Sequence, residues 1–198
     1  MNKFTLRLAD GRWVVIVASG YNNVNTPAQT GDGEGYLYVL EAMTGKILYK
    51  IGTGAGSAGN PSGLAKITAW VDNANVNKTT ARVYGVDLLG NVWRFSVTAT
   101  PSATRLATVT DPLGIPQPIT VAARLTEIGR PPEPVVIVAT GKYLGVSDVT
   151  TTQMQSVYTI KVWGPVNVGI LFALSQFVVA WGLAWYYAHR ANAVFDPM

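Results

Sequence analysis

The chain has 198 residues, of which 48% are hydrophobic and only 13% are charged, and its net charge is +4. It contains no cysteine, which excludes disulfides and thiolate metal sites within this chain. Lysine and arginine are scattered rather than clustered, so we expect no nucleic-acid partner.

Up to about residue 163 the sequence is typical of β-strands joined by long loops rich in glycine, asparagine, threonine and proline. Residues 14–18 form a continuous apolar run, as expected for a fully buried strand. The pattern predicts a mainly β fold, with strands at residues 14–18, 35–40, 46–51, 67–71, 82–87, 92–97, 121–128, 135–139 and 157–162.

Two sequence patterns each occur twice in the chain. Residues 38–49 are echoed by residues 84–95, each a strand, an acidic turn with glycine and a second strand. Residues 14–20 are echoed by residues 135–141. Repeated hairpins of this kind favour the blades of a β-propeller. The predicted hairpins supply about three to four quinoprotein-like blades, whereas a closed ring needs about four to eight. We therefore expect a partial β-propeller.

Two motifs within the predicted blades resemble functional sites. Glu41 and Asp87 occupy matching positions of the repeat, so we expect both carboxylates to accept backbone N–H groups in turns rather than to form a catalytic pair. Residues 54–59 match G-x-G-x-x-G, but no helical pattern follows, which favours a loop between blades over a dinucleotide site.

Four large aromatic residues fall on predicted strands. We expect them to pack between the sheets of neighbouring blades, with a carbohydrate or receptor platform as the alternative. They are Tyr38, Tyr84, Trp93 and Phe95.

The C-terminal part of the chain has a different texture. After Gly164 and Pro165, residues 168–188 run for 21 positions without a charge. As a helix this segment would extend for roughly 30 Å, the thickness of a bilayer core. We therefore predict a transmembrane helix over about 166–188, followed by a short basic tail; the alternative is a buried C-terminal helix. The N-terminal residues lack an apolar stretch long enough for a signal peptide, so none is expected in this chain.

The β part resembles the C-terminal propeller of the PilY/PilC family of type IV pilus biogenesis factors and tip adhesins. The resemblance covers roughly residues 12–163 and is most specific at residues 83–95, which look like the family's hallmark hairpin. It is also carried by residues 35–45, 52–57, 117–120, 139–145 with Asp148, and 153–158. The resemblance implies a non-enzymatic protein of the pilus tip or cell surface, with pilus components or surface ligands as partners.

The family often carries a calcium loop just before its hallmark hairpin. Here that place holds Asp72, Asn73, Asn75 and Asn77, which offer one carboxylate and three amide oxygens. Calcium prefers six to eight oxygens, several of them from carboxylates. These four residues are therefore a weak calcium candidate, and a polar turn without metal is the favoured interpretation; no other cofactor is expected.

The tail, residues 164–198, looks like the last helix of a small two-helix inner-membrane protein family of unknown function, usually encoded beside solute symporters. We therefore expect two parts, residues 1–163 and residues 164–198, fused near Trp163 and Gly164. The predicted function is that of a pilus biogenesis and adhesion protein fragment, associated with the membrane through its tail. The alternatives are a small integral membrane protein of the symporter-associated kind and a remnant of a quinoprotein-type propeller dehydrogenase.

Overall fold

The computed structural model describes residues 3–27, 29–71, 75–76, 78–128, 133–162, 180–181 and 184–186. Within these residues the chain is mainly β, as predicted, with a 3-10 turn at Val146–Thr150. The strands are β1 Lys3–Arg7, β2 Trp13–Ala18, β3 Val24–Thr26, β4 Gln29–Asp32, β5 Tyr36–Glu41, β6 Ile47–Gly52, β7 Lys66–Trp70, β8 Arg82–Val86, β9 Asn91–Ser96, β10 Ser102–Thr108, β11 Arg124–Ile128, β12 Glu133–Ala139 and β13 Val157–Lys161.

The strands form three antiparallel sheets and one small hairpin. The first sheet has the order β1-β2-β5-β6, and the β3-β4 hairpin is inserted between β2 and β5. The central sheet is a simple meander of β7, β8, β9 and β10, and the third sheet has the order β11-β12-β13. Neighbours in sequence are therefore mostly neighbours in space, as in a chain of successive hairpins.

Two hydrophobic cores lie on opposite faces of the central sheet. One core joins the central sheet to the first sheet through residues such as Ile16, Leu37 and Phe95. The other joins it to the third sheet through residues such as Val92 and Val136. The three sheets are thus stacked in chain order, with the central sheet covered on both sides.

This position explains the sequence of β8. Side chains alternate between the two faces of a strand, so Val83 contributes to one core and Tyr84 to the other. Opposite Trp93 on the neighbouring strand the chain carries Gly85, where a Cβ atom would lie 2.9 Å from Leu64 and 3.0 Å from Phe95. A strand buried on both faces can be apolar along its whole length, because neither face needs polar side chains.

The Asp87 carboxylate organises the turn between β8 and β9. Its Oδ1 atom accepts the backbone N–H groups of Leu89 at 3.0 Å and Asn91 at 2.8 Å. Its Oδ2 atom accepts the Trp93 indole N–H at 2.8 Å, the Asn91 side-chain amide at 3.0 Å and the Ser62 hydroxyl at 3.2 Å. Asp87 is fully buried, and these five donors replace the water that the carboxylate loses.

The same turn requires glycine at position 90. Gly90 has a φ of +76°, and a Cβ atom there would lie 2.7 Å from the Val109 carbonyl oxygen. The Val109 N–H in turn donates to the Gly90 carbonyl. Glycine therefore lets the chain after β10 pack directly onto the β8–β9 turn.

The structure contains strands that the sequence patterns do not predict, namely β1, the β3-β4 hairpin and β10. β10 has the sequence SATRLAT, and its residues are exposed or half-buried without regular alternation. It therefore lacks the period-two signal of a strand with one buried face. In addition, β11 begins at Arg124, three residues later than expected.

The finer architecture stays a prediction. Four-stranded antiparallel sheets such as the first and central sheets are what propeller blades require. The stacked sheets confirm the mainly β fold, while the partial propeller and its number of blades remain predicted.

Most of the predicted membrane span, residues 166–188, lies outside the described residues. Residues 180–181 and 184–186 are helical, and Trp181 and Trp185 are exposed there. Among the residues that the structure describes, no helix is both long and apolar enough to cross a bilayer.

Replacing Asp87 with alanine should lower the free energy of unfolding by at least about 3 kcal/mol, because several buried donors would lose their acceptor. Asp111 is the matched control. Its Oδ1 atom accepts the N–H groups of Leu113 and Ile115 in the same i+2 and i+4 pattern, but at an exposed turn. Asp111→Ala should cost about 1 kcal/mol. Urea unfolding followed by tryptophan fluorescence measures both values, and equal losses would contradict the role given to Asp87.

Candidate functional site

Three separated chain segments meet at one end of the third sheet. They are residues 117–120, residues 139–145 with Asp148, and residues 153–158, which follow β10, β12 and the 3-10 turn respectively. All three are among the six segments that carry the sequence resemblance. Their meeting point is the candidate functional site.

Gln117 holds the last of these segments in place. Its side chain is buried, and its amide nitrogen donates to the Met154 carbonyl and to the Ser156 hydroxyl at 3.3 Å. The Tyr158 hydroxyl donates to Gln117 Oε1 at 2.6 Å. Every one of these partners is more than 30 residues away in the chain, so Gln117 fixes tertiary structure rather than a local turn.

Backbone bonds join the first segment to the second. The Gly141 N–H donates to the Pro118 carbonyl at 2.7 Å, and the Thr120 hydroxyl donates to the Gly141 carbonyl at 2.9 Å. On the other side, the Ser156 N–H donates to the Thr140 hydroxyl at 2.7 Å. The second segment is therefore held between the other two.

Asp148 closes the loop that follows β12. Its Oδ2 atom accepts the N–H groups of Leu144 at 2.8 Å and Gly145 at 3.1 Å, and its Oδ1 atom lies 3.2 Å from Lys142 Nζ. The Leu144 hydrogen bond, supported by those from Lys142 and Gly145 and opposed by burial, lowers the pKa of Asp148 below its ordinary 3.8. The carboxylate is thus ionised at neutral pH and neutralises Lys142.

The three segments enclose a polar cleft of about 390 Å³. Its walls are neutral or internally paired groups, since the Lys142 and Asp148 charges compensate each other. They come from Gln117, Pro118, Thr140, Gly141, Lys142, Ser147, Asp148, Thr150, Thr151, Gln153, Met154 and Gln155.

An apolar groove of about 590 Å³ continues from the polar cleft and shares Thr151, Gln153 and Met154 with it. Three exposed apolar side chains line it: Leu113 is 85% exposed, Met154 61% and Ile115 52%. The Gln153 amide donates to the Pro116 carbonyl at 3.0 Å and so joins the two walls. We call the polar cleft and the apolar groove together the loop cleft.

The loop cleft combines polar and apolar groups that could bind another molecule. Hydroxyl and amide groups can pair with the backbone of a bound polypeptide, and the apolar groove can bury its side chains. Exposed apolar side chains gathered around one groove are typical of a protein-interaction surface.

The predicted calcium candidate lies mostly outside the described residues. Asp72, Asn73 and Asn77 are not described, and Asn75 lies in an exposed turn. Within the described ranges there is no group of three or more histidine, cysteine, aspartate or glutamate side chains that could hold a metal ion. The weak calcium candidate and the favoured interpretation, a polar turn without metal, both stay predictions.

The two acidic residues at matching positions of the repeat, Asp87 and Glu41, make different hydrogen bonds. Asp87 accepts backbone N–H groups in its turn, as predicted. Glu41 differs, because its carboxylate accepts the Thr44 hydroxyl at 2.5 Å and the turn N–H of Gly45 bonds to the Glu41 backbone carbonyl. Residues 54–59 form a loop between β6 and β7, as predicted.

Three of the four strand aromatics, Tyr84, Trp93 and Phe95, are buried between sheets as predicted. Tyr38 is different. It alternates with the buried Leu37 and Val39, so it lies on the face of the first sheet opposite the core. Periodicity along β5 would have separated it from the other three.

Sequence reasoning did not locate the loop cleft. Its segments are quoted separately in the sequence, and nothing in their local patterns indicates that they meet. The one available signal was the high density of glutamine, threonine and serine between residues 140 and 156. This composition fits a strand as well as a polar loop, so it does not indicate a cleft.

Comparison with known proteins supports the resemblance of the β part. The chain is 28% identical over 180 residues to the type IV pilus biogenesis factor PilY1 of Pseudomonas aeruginosa, covering 78% of this chain and 15% of that protein. It is 24% identical over 178 residues to a PilY1 homolog of Xylella fastidiosa, covering 79% of this chain and 11% of that protein. The chain thus spans only a small fraction of the length of these relatives.

The fold is similar to the crystal structure of the Pseudomonas aeruginosa PilY1 C-terminal domain. The TM-score is 0.66 at 23% sequence identity, with 83% of this chain and 36% of that chain covered. This likeness shows that the two share a fold.

A family model described as "Protein of unknown function, DUF485" matches residues 134–198. The match includes the whole predicted tail and begins within β12, upstream of the predicted junction at Trp163 and Gly164. The assignment of the tail to an inner-membrane family stays a prediction.

Acid should loosen the loop after β12. Because the folded-state pKa of Asp148 lies below its ordinary 3.8, its contribution to stability is complete above that pH and is lost as the pH falls through the lower, folded-state value. NMR should show the Leu144 and Gly145 amides shifting below pH 3.8, and Asp148→Asn should remove that transition. A midpoint at or above pH 3.8 would contradict the lowered pKa.

Proposed function

We propose that this chain is part of a type IV pilus biogenesis factor and acts by binding, without catalysis, in pilus assembly and surface adhesion. Its place of action is the pilus or the cell surface. The relatives that support this proposal are pilus biogenesis factors by name.

One observation carries the proposal. Three of the six segments that resemble the pilus family, those around Gln117, Gly141 and Ser156, are far apart in sequence and build a single cleft. Their convergence supports a shared binding role.

The partner we propose is a protein component of the pilus. The groove beside Leu113, Ile115 and Met154 suits apolar side chains, and the uncharged polar half suits a polypeptide backbone. With Lys142 paired to Asp148, the cleft offers little net charge to attract a highly charged ligand.

Binding of the full chain to purified Pseudomonas aeruginosa type IV pili, measured by cosedimentation, tests this proposal. The double variant Leu113→Ser/Ile115→Ser should weaken binding about tenfold or more, because it removes the exposed apolar wall of the groove. The variant should unfold at the same urea concentration as the unmodified chain, since both side chains are exposed.

The matched control is Met43→Ser/Ile47→Ser, which also removes two exposed apolar side chains but from the β5–β6 hairpin, at its turn and at the start of β6. It should bind pili like the unmodified chain. Failure of the unmodified chain to sediment with pili, or equal loss in both double variants, would reject the proposal.

A second candidate function concerns the tail. From the resemblance of residues 164–198 and the uncharged run at residues 168–188, we propose that this part of the chain behaves as a small integral membrane protein of the symporter-associated kind, joined to the β part. The family model that matches residues 134–198 is described as a protein of unknown function. Under this proposal the full chain stays in the membrane fraction after carbonate washing and is released by detergent. Release by carbonate alone would reject membrane anchoring, and source DNA that does not read through codons 160–168 would reject the fusion.

A further inference from the structure

A second pocket, of about 480 Å³, lies on the first sheet and shares no residue with the loop cleft. Two of its side chains, Tyr36 and Tyr38, alternate on β5 with core residues and therefore project from the face opposite the first core. We call it the tyrosine pocket; its walls are Asn23, Gly31, Asp32, Tyr36, Tyr38, Lys50 and Ala58.

Tyr36 is fixed in one orientation. Its hydroxyl lies 2.5 Å from Asp32 Oδ2 and 2.9 Å from Glu34 Oε2. The bond to Asp32, followed by burial and the bond to Glu34, raises the pKa of Tyr36, so the hydroxyl keeps its proton. Lys50 Nζ lies 3.9 Å from the centre of the Tyr36 ring, a cation–π contact that covers one face of it.

Tyr38 supplies a second aromatic surface. Its ring centre is 6.1 Å from that of Tyr36, and the two ring planes are inclined by 46°. Tyr38 also pairs directly with Lys50 across the β5–β6 ladder. Two tilted rings, an ammonium group and a carboxylate therefore converge on one pocket.

Tight packing of the surrounding loops makes the pocket rigid. Gly33 has a φ of +81°, and a Cβ atom at this position would lie 1.9 Å from the Ser57 carbonyl oxygen. The Asn23 side-chain amide donates to the Glu34 carbonyl at 2.9 Å, and Glu34 Oε1 accepts the Gly54 N–H at 2.7 Å. A pocket formed before its ligand arrives loses less entropy on binding.

The chemistry of the walls narrows the ligand class. Asp32 in the wall and Glu34 behind the Tyr36 hydroxyl together outweigh the charge of Lys50, and this net negative charge disfavours phosphates and other anions. Lys50 already covers the Tyr36 face that a cationic ligand would use. A purely apolar ligand would remove charged groups from water without replacing their hydrogen bonds.

We infer that the tyrosine pocket binds a neutral saccharide. A sugar ring has an apolar C–H face that can pack on Tyr38, and its hydroxyls can donate to Asp32 and accept from Lys50. The volume of about 480 Å³ is that of a pocket for a small ligand. This activity does not depend on the proposed pilus function or on the loop cleft.

Saturation-transfer NMR with the full chain tests the inference. The probes are glucose, galactose, mannose and N-acetylglucosamine, with N-acetylneuraminic acid as the anionic comparison, each at about 10 mM to detect millimolar affinity. We expect ring-proton signals from at least one neutral sugar and weaker signals from the anionic one. No signal from any neutral sugar, or a signal from the anionic sugar alone, would overturn the proposal.

Variants locate the binding site. Tyr38→Ala should weaken binding about tenfold, whereas Tyr38→Phe keeps the ring and should bind nearly as well as the unmodified chain. Lys50→Met keeps the aliphatic stem but removes the ammonium donors, and it should also weaken binding. Tyr143→Ala, which removes a tyrosine 76% exposed on the loop after β12, is the matched control. Equal effects of Tyr38→Ala and Tyr143→Ala, or full binding by both Tyr38→Ala and Lys50→Met, would place the sugar elsewhere and contradict the inference.

Discussion

The structure depends on one buried carboxylate. Asp87 joins the backbone of its own turn to the Trp93 indole in the first core and to the Ser62 hydroxyl in the loop before β7. Because a buried carboxylate is tolerated only when its lone pairs are occupied, these donors must all be present together. The β8–β9 register, the loop and one core are therefore fixed at a single point.

That point connects the central sheet to the loop cleft. The Asp87 backbone carbonyl accepts the Ile119 N–H at 3.1 Å, and Gln117 donates its own N–H to Val109 beside Gly90. Residues 117–120, which anchor the loop cleft, therefore pack directly against the β8–β9 turn. The tyrosine pocket belongs to the first sheet, on the far side of the first core. The elements that carry the loop cleft and the tyrosine pocket thus lie on opposite sides of the central sheet.

Features set by local sequence patterns could be predicted, whereas features set by contacts between residues far apart in the chain could not. Strands such as β2 and β9 follow from local apolar patterns, and the structural role of Asp87 follows from the repeated turn. β10 was missed because it is half-exposed and has no alternating pattern. The loop cleft could not be predicted, since the bond from Gln117 to Ser156 joins residues 39 apart in the chain. Tyr38 could have been placed on the outer face from its alternation with Leu37 and Val39, whereas Trp93 lies in a sheet whose two faces are both buried, so its contacts depend on tertiary packing.

The central claim is that segments resembling a pilus protein fold into one partner-binding cleft. The most direct measurement is site-specific photo-crosslinking in piliated cells, with benzoylphenylalanine placed at Leu113 in the groove or at Met43 in the exposed β5–β6 turn. The account predicts crosslinks from position 113 to a pilus component that are absent from position 43. Identical products at both positions, or no pilus component among those from position 113, would contradict it.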